Sequence, residues 1–237
     1  MGKSIKERIH SLDWKAIHEQ LDEWGYATTG RILAEIECSE LIKMYDRSEL
    51  FRSSIDMARY RFGVGEYKYF AAPLPDLISD LRESTYIPLS ETANEWSKQL
   101  GSTETYPPTL RDFLAICEKH KQTRPTPLVL RYSSGGYNCL HQDIYGDVAF
   151  PLQITCVLNR PNVDFTGGEF LLVEQRPRAQ SRGHVIVADA GEFVIFPNRY
   201  RPVAGGRGYY RTNMRHGVSR VMSGSRFALG IIYHDAK

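Results

Sequence analysis

No apolar stretch in these 237 residues approaches the roughly 20 that a membrane-crossing helix needs. The start, Met1-Gly-Lys-Ser-Ile-Lys6, is basic but leads into no apolar core, which argues against a secretory leader, and Lys6 stands where an N-myristoylation signal requires Ser or Thr. Cysteine is sparse: Cys38, Cys117, Cys139 and Cys156 are scattered, with no Cys-x-x-Cys pair, so neither a disulfide framework nor a thiolate zinc site is expected. Reduced thiols and a cytoplasmic location follow as expectations. The glycine pairs Gly135-Gly136 and Gly205-Gly206 lack the context of a phosphate-binding loop, and Ser133, Ser134 and Cys139 sit in no nucleophile-elbow motif. Charge is nearly balanced, at 30 basic and 28 acidic residues for a net +2, which permits a polyanionic partner without requiring one.

What remains fits one domain, residues 1–237, in two textures. Residues 1–127 read as mainly helical. Asp13 caps a helix carrying Trp14, Ile17, Leu21 and Trp24 and closed by Gly25, and Ser39 caps a second with Leu41, Ile42 and Tyr45. Leu77 and Leu81 mark a third that Pro88 interrupts, Leu89, Ala93, Trp96 and Leu100 a fourth, and Leu110, Phe113, Leu114 and Cys117 a fifth. Between them Arg59 to Phe70 alternates basic and aromatic residues around two glycines, as a hairpin or bent strand does. After Arg124-Pro-Thr-Pro127 the chain becomes short apolar runs. Strands are expected at 128–132, 138–143, 152–158, 168–174, 184–187, 192–196, 213–218 and 226–233. Eight strands at this spacing point to an α+β fold, a jelly-roll core over 128–237 buttressed by the N-terminal helices.

The chemistry centres on Leu128-Val-Leu-Arg-Tyr-Ser-Ser-Gly-Gly-Tyr-Asn-Cys-Leu-His-Gln-Asp143. In a strand, side chains two apart share a face, so His141 and Asp143 can reach one metal ion. His216 is the best third ligand, because Arg226 follows it ten residues on, opening an otherwise apolar strand. His184 and His234 lie on or beside expected strands and read as structural. Two imidazoles and a carboxylate on one side of a metal are the ligand set of non-haem Fe(II) oxygenases, and a guanidinium fork nearby suits a dicarboxylate.

The ordered motifs Arg131-Tyr132, Leu140-His-Gln-Asp143, Gly167-Gly-Glu-Phe170, Gly191-Glu-Phe-Val-Ile-Phe196 and His216-Gly-Val with Arg226 resemble the Fe(II)/2-oxoglutarate-dependent oxygenases over residues 128–235. The resemblance implies a double-stranded β-helix with His141, Asp143 and His216 as iron ligands. It assigns Arg226 to the distal carboxylate of 2-oxoglutarate and Tyr132, nine residues before His141, to the cosubstrate as in AlkB-type nucleic-acid demethylases. It also implies O2 as cosubstrate and hydroxylation of a C–H bond. Phrases such as Phe51-Arg-Ser-Ser-Ile-Asp-Met-Ala-Arg59, Gly65-Glu-Tyr-Lys-Tyr-Phe70 and Glu174-Gln-Arg-Pro-Arg178 resemble a bacterial oxygenase family proposed to oxidise alkylated DNA. The last strand departs from the AlkB type: Ala228 and Ile232 stand where that group has Asn and a second Arg, and the spacing from His216 to Arg226 is nearer the prolyl-hydroxylase type.

The leading expectation is therefore an oxygenase that demethylates alkylated DNA or RNA. Arg59, Arg61, Tyr67 and Tyr69 are candidate base and phosphate contacts, and so are Arg207 and Arg211, in an arginine- and tyrosine-rich loop spanning 198–215. A second basic loop spans 174–182. The competing expectations are the same chemistry on a protein side chain or small metabolite, and a non-catalytic cupin-like binding module. Oligomeric state is not legible.

Overall fold

The computed structural model describes residues 3–237. Helix α1 (Ile5–His10) is capped by Ser4 and α2 (Trp14–Trp24) by Asp13, whose carboxylate accepts from the Ala16 amide. Strand β1 (Ala27–Arg31) and α3 (Glu35–Met44) follow, then β2 (Phe51–Asp56), β3 (Gly63–Val64) and β4 (Glu66–Phe70). Helices α4 (Asp76–Gln99) and α5 (Leu110–Lys119) complete the helical part. Beyond it come β5 (Leu128–Ser133), β6 (Tyr137–His141), β7 (Leu152–Val157), β8 (Phe165–Gly167), β9 (Phe170–Gln175), β10 (Arg182–Ile186), β11 (Glu192–Pro197), β12 (Tyr200–Gly205), β13 (Gly208–Val218) and β14 (Val221–Ile232).

Two antiparallel sheets face each other. One runs β1-β11-β7-β14-β5-β4-β2, with β8 also on β14; the other runs β10-β9-β13-β6-β3, with β12 also on β13. This is the expected α+β architecture, with a jelly-roll core and N-terminal helices against its larger sheet. Four of the strands, β1 to β4, come from the part read as mainly helical. The main core lies between the helices and the larger sheet, joining Leu21, Leu41, Leu81, Tyr86, Leu89, Trp96 and Phe113 to Phe150, Ile154, Phe193, Leu229 and Tyr233.

Three local expectations need correction. Pro88 does not divide a helix: α4 runs unbroken through it. An interior proline costs about 3 kcal/mol, but α4 buries Leu81, Tyr86, Leu89 and Trp96, each worth roughly 1.5–3 kcal/mol. Ser39 caps nothing, since α3 begins at Glu35 and Glu37 reaches back to the Ala34 amide instead. The stretch 198–215 is a ribbon, β12 paired with β13 from Tyr200↔Asn213 to Gly205↔Gly208, rather than a loop.

Arg82 of α4 ties the end of β14 to the helical layer. Its guanidinium donates to the carbonyls of Ile232 and Tyr233 at 2.9 and 2.7 Å and to Asp235 Oδ1 at 2.7 Å, all buried. Arg82→Ala leaves that carboxylate unpaired and is expected to cost about 3–5 kcal/mol. Urea unfolding with a lowered midpoint and an unchanged slope is the measurement, and an unaltered midpoint would exclude the clamp.

Candidate active site

His141 and His216 form one rung of the smaller sheet, directly opposite each other on β6 and β13, with ring centroids 4.2 Å apart. The next rung pairs Val218 with Asn138, three residues along β6 against two along β13. The extra residue is a bulge at Cys139-Leu140. In a regular strand Asn138 and His141 would face opposite sides; the bulge lets both line the same cavity. Gly217 faces the bulge, where an added Cβ would lie 2.7 Å from the Asn138 carbonyl.

The His141 Nδ1–H donates to the Cys139 carbonyl at 2.8 Å. That bond fixes the tautomer and leaves the Nε2 lone pair free. Nε2 of His141 lies 3.5 Å from Asp143 Oδ1, and Nε2 of His216 lies 3.1 Å from Asp143 Oδ2. The three ligand atoms all fall within 4.8 Å of one another. Burial alone would raise the Asp143 carboxyl, but the two imidazoles hold it well below the usual carboxylate range. His216 is pushed down by burial and by His141.

Asp143 is not where strand geometry put it. The expected strand 138–143 ends at His141, so alternation along a ladder does not aim this carboxylate. Side chains do. Gln142 donates to the carbonyls of Arg199 and Met214, both at 2.9 Å, which closes the loop onto the β12–β13 ribbon. The Tyr145 hydroxyl donates to Asp143 Oδ1 at 2.6 Å. The Tyr145 ring is itself held between Tyr69 and His234, at centroid distances of 6.1 and 5.8 Å. His234 accepts from the Phe150 amide at 3.2 Å, and burial lowers it to about 4, so it stays neutral. Further along, Gln122 donates to the Val148 carbonyl and accepts from the Val148 amide.

The cavity holds about 330 Å³ and reaches from the triad to Arg226 and Tyr132 on the larger sheet, which sit opposite each other on β14 and β5. Arg226 is 1% exposed and Tyr132 fully buried, and among the described residues neither Arg226 Nε nor the Tyr132 hydroxyl has a hydrogen-bond partner. A guanidinium buried without a carboxylate is strongly unfavourable unless an anion completes it. Gln153 Nε2 is likewise buried and unpartnered on the cavity wall. The donor set and the orphaned groups together fit a divalent ion beside a small dicarboxylate.

Of the residues expected to touch substrate, Arg61 and Tyr67 line the cavity, with Phe62 beside them. Arg59 lies on the Tyr60 ring and Tyr69 is buried behind Tyr145; neither lines the cavity. Arg207 and Arg211 sit on the ribbon, with Arg211 stacked 4.2 Å over Tyr200. Sequence reasoning missed Tyr145, Gln142 and Gln153. Tyr145 alone left a trace, an aromatic two residues past the expected acidic ligand.

Solved structures share this fold across nearly the whole chain. A Pseudomonas putida prolyl-4-hydroxylase matches at a TM-score of 0.57 and 14% identity over 94% of this chain and 99% of that one. A Trichoplax adhaerens prolyl hydroxylase, solved with a hypoxia inducible factor peptide, matches at 0.56 and 16% over 99% and 94%. A Burkholderia pseudomallei protein of the 2OG-Fe(II) oxygenase family matches at 0.53 and 13% over 95% and 93%. The class is an Fe(II)- and 2-oxoglutarate-dependent oxygenase, with O2 as cosubstrate, which leaves no place for a non-catalytic cupin-like module. More narrowly, the chain belongs to the family described as "Oxygenase, catalysing oxidative methylation of damaged DNA", whose model matches residues 65–236. An uncharacterized protein of Mycobacterium tuberculosis is 46% identical over 70% of this chain and 72% of its own. Among the described residues no helix is long and apolar enough to cross a membrane.

Because Tyr145 holds the one triad residue that lies off the ladder, Tyr145→Phe is expected to weaken Fe(II) or Co(II) binding about 10–100-fold. The phenyl ring keeps both aromatic contacts, so the metal-free unfolding temperature should stay at the wild-type value. A variant that unfolds earlier yet binds metal as the wild type does would assign Tyr145 a packing role only.

Proposed function

We propose that this oxygenase oxidatively removes N-alkyl groups from damaged DNA or another nucleic acid, with His141, Asp143 and His216 holding the Fe(II). The observation that carries the reading is the lining of the cavity, where the guanidinium of Arg61 and the rings of Phe62 and Tyr67 share one wall with the triad. A planar base can stack on such rings, and Arg61 suits its phosphate or carbonyl edge. The family description supports the same substrate class.

Bound Fe(II), with 2-oxoglutarate and O2, supplies C–H hydroxylation coupled to decarboxylation to succinate; a hydroxylated N-methyl group then leaves as formaldehyde. The chain's own residues bind, orient and exclude. Arg226 and the Tyr132 hydroxyl take the distal carboxylate, whose oxygens accept from the otherwise unpartnered Arg226 Nε and Tyr132 O–H. Leu130, Phe170, Phe196 and Val218 wall the cavity against water. Asp143 stays ionised between two imidazoles, with Tyr145 fixing its orientation. A base in a duplex has to leave the stack to enter, which favours single strands or flipped nucleotides. No side chain has to act as a nucleophile.

The test is succinate release by protein loaded anaerobically with Fe(II), across methylated single- and double-stranded oligonucleotides, peptides and metabolites. Stimulation by methylated oligonucleotide is expected. Stimulation by a peptide or metabolite alone would move the substrate to the class suggested by the His216-to-Arg226 spacing. His141→Ala and Asp143→Ala should each abolish turnover, and persistence in both would sink the ligand assignment. Arg226→Ala should raise the 2-oxoglutarate KM at least tenfold while metal still binds; an unchanged KM would place the cosubstrate elsewhere.

A further inference from the structure

The charge of this chain is segregated. Residues 175–234 hold ten arginines, no lysine and only two acidic residues, Asp189 and Glu192, for a net +8. Since the whole chain carries +2, the remainder carries −6. Three of the ten are internal or paired: Arg226 in the cavity, and Arg201 and Arg176 on the buried Glu174. The other seven, Arg178, Arg182, Arg199, Arg207, Arg211, Arg215 and Arg220, are exposed. Among the described residues none of the seven has a carboxylate within 4.0 Å.

The two basic loops of the sequence become one surface because their strands are neighbours. Strand β9 pairs with β10 on one side and β13 on the other, and β13 pairs with β12. Along β13 the outward residues Tyr209, Arg211, Asn213 and Arg215 alternate with the buried Thr212, Met214 and His216. The arginines thus occupy the reverse side of the strand that carries His216. An open groove lined by Gln175, Arg176, Arg178, Gln180 and Asn213 runs between this strand and the β9–β10 hairpin. Arg211 and Arg215 share a face about 13 Å apart along the strand, which spans roughly four nucleotide steps of a B-form backbone at about 3.4 Å each.

We propose that this outer face of the smaller sheet, centred on Arg178, Arg211 and Arg215, is a docking surface for the phosphate backbone of a nucleic acid strand. The inference rests on the nucleic-acid reading above and adds where the strand lies. Charge complementarity decides the occupant: arginine forks pair bidentately with phosphate oxygens, and Arg211 is already oriented by its stack on Tyr200. The strand next to β13 is β6, whose Cys139 and Leu140 form the cavity edge. A backbone held on the arginines crosses one strand to bring a nucleotide to the mouth. This makes the face a holder of flanking nucleotides rather than a reader of sequence.

The experiment is fluorescence anisotropy of unmethylated single-stranded and duplex oligonucleotides across a salt series, with wild type and the triple variant Arg178→Gln, Arg211→Gln, Arg215→Gln. All three side chains are exposed, so folding and metal affinity should match wild type. The single variant Arg178→Gln and the pair Arg211→Gln, Arg215→Gln give the same reading if the triple one does not fold. The variant is expected to bind at least tenfold more weakly at low salt, with the slope of log affinity against log salt reduced by about 0.7–0.9 per lost phosphate contact. Wild type binding with the same affinity and slope as the variants overturns the face and leaves the nucleic-acid reading standing. Wild type that binds no oligonucleotide overturns both. Capture by phosphatidylserine vesicles in preference to oligonucleotides would reassign the arginines to a lipid surface.

Discussion

The rung between His141 and His216 is the constraint from which the rest of the site follows. It sets two imidazoles side by side, tilted by 50°, inside a jelly roll, and a sheet ladder holds such a pair firmly because each strand is hydrogen-bonded on both sides. The bulge at Cys139-Leu140 is what turns His141 inward, and it comes with a requirement for glycine at 217. A ladder cannot also supply the third ligand, since β6 ends at His141. The carboxylate therefore depends on long-range contacts. Tyr69 from β4, Gln122 from the segment after α5 and His234 beyond β14 all bear on the 142–150 loop. The N-terminal half is thus part of the metal centre as well as its buttress.

Much of this was legible because strand periodicity is short-ranged. Arg226, Ala228, Gly230 and Ile232 recur at every second residue and do share the cavity face, and Leu128, Leu130 and Tyr132 do the same opposite them. The helix from Asp13 to Gly25 was legible for a similar reason, since both caps are local. Features decided by distant partners were not. Pro88 marks a break in any local reading, and only the core that α4 covers overrides it. The inward turn of His141 depends on a register against β13 that β6 alone does not encode. Tyr145 and Gln142 look like ordinary loop residues until the chain closes and brings Asp143, Arg199 and Met214 to them.

The arginines divide by the same logic. Arg226 sits in the middle of β14, buried, and among the described residues no carboxylate pairs with it. Arg201 is equally buried but donates to Glu174 and to the carbonyls of Asp22 and Glu23, which makes it a clamp on the end of α2. Arg211 and Arg215 are exposed and unpaired, so any role they have depends on what the protein meets. Identical side chains within 26 positions of one another thus face the cavity, the fold and the solvent, and counterion and burial separate them where sequence context does not.

The buried cavity and the exposed arginines consequently occupy different parts of the molecule. His141, His216, Arg226 and Tyr132 lie on paired strands of the jelly roll, and Asp143 lies just past the end of β6. The spacing from His216 to Arg226 is set by how β13 returns into β14. Substrate choice has to be made where the ladders stop. The turn bearing Arg61 and Phe62, with Arg61 at a φ of 60°, overhangs the cavity from β3, and the β12–β13 ribbon runs past the smaller sheet beside it. These two segments concentrate the exposed aromatic and arginine side chains, whereas the acidic surplus lies on the rest of the chain. The cavity edge thus carries Arg61, Phe62 and Tyr67, and the ribbon carries Arg211 stacked on Tyr200, both outside the rung that joins the two imidazoles.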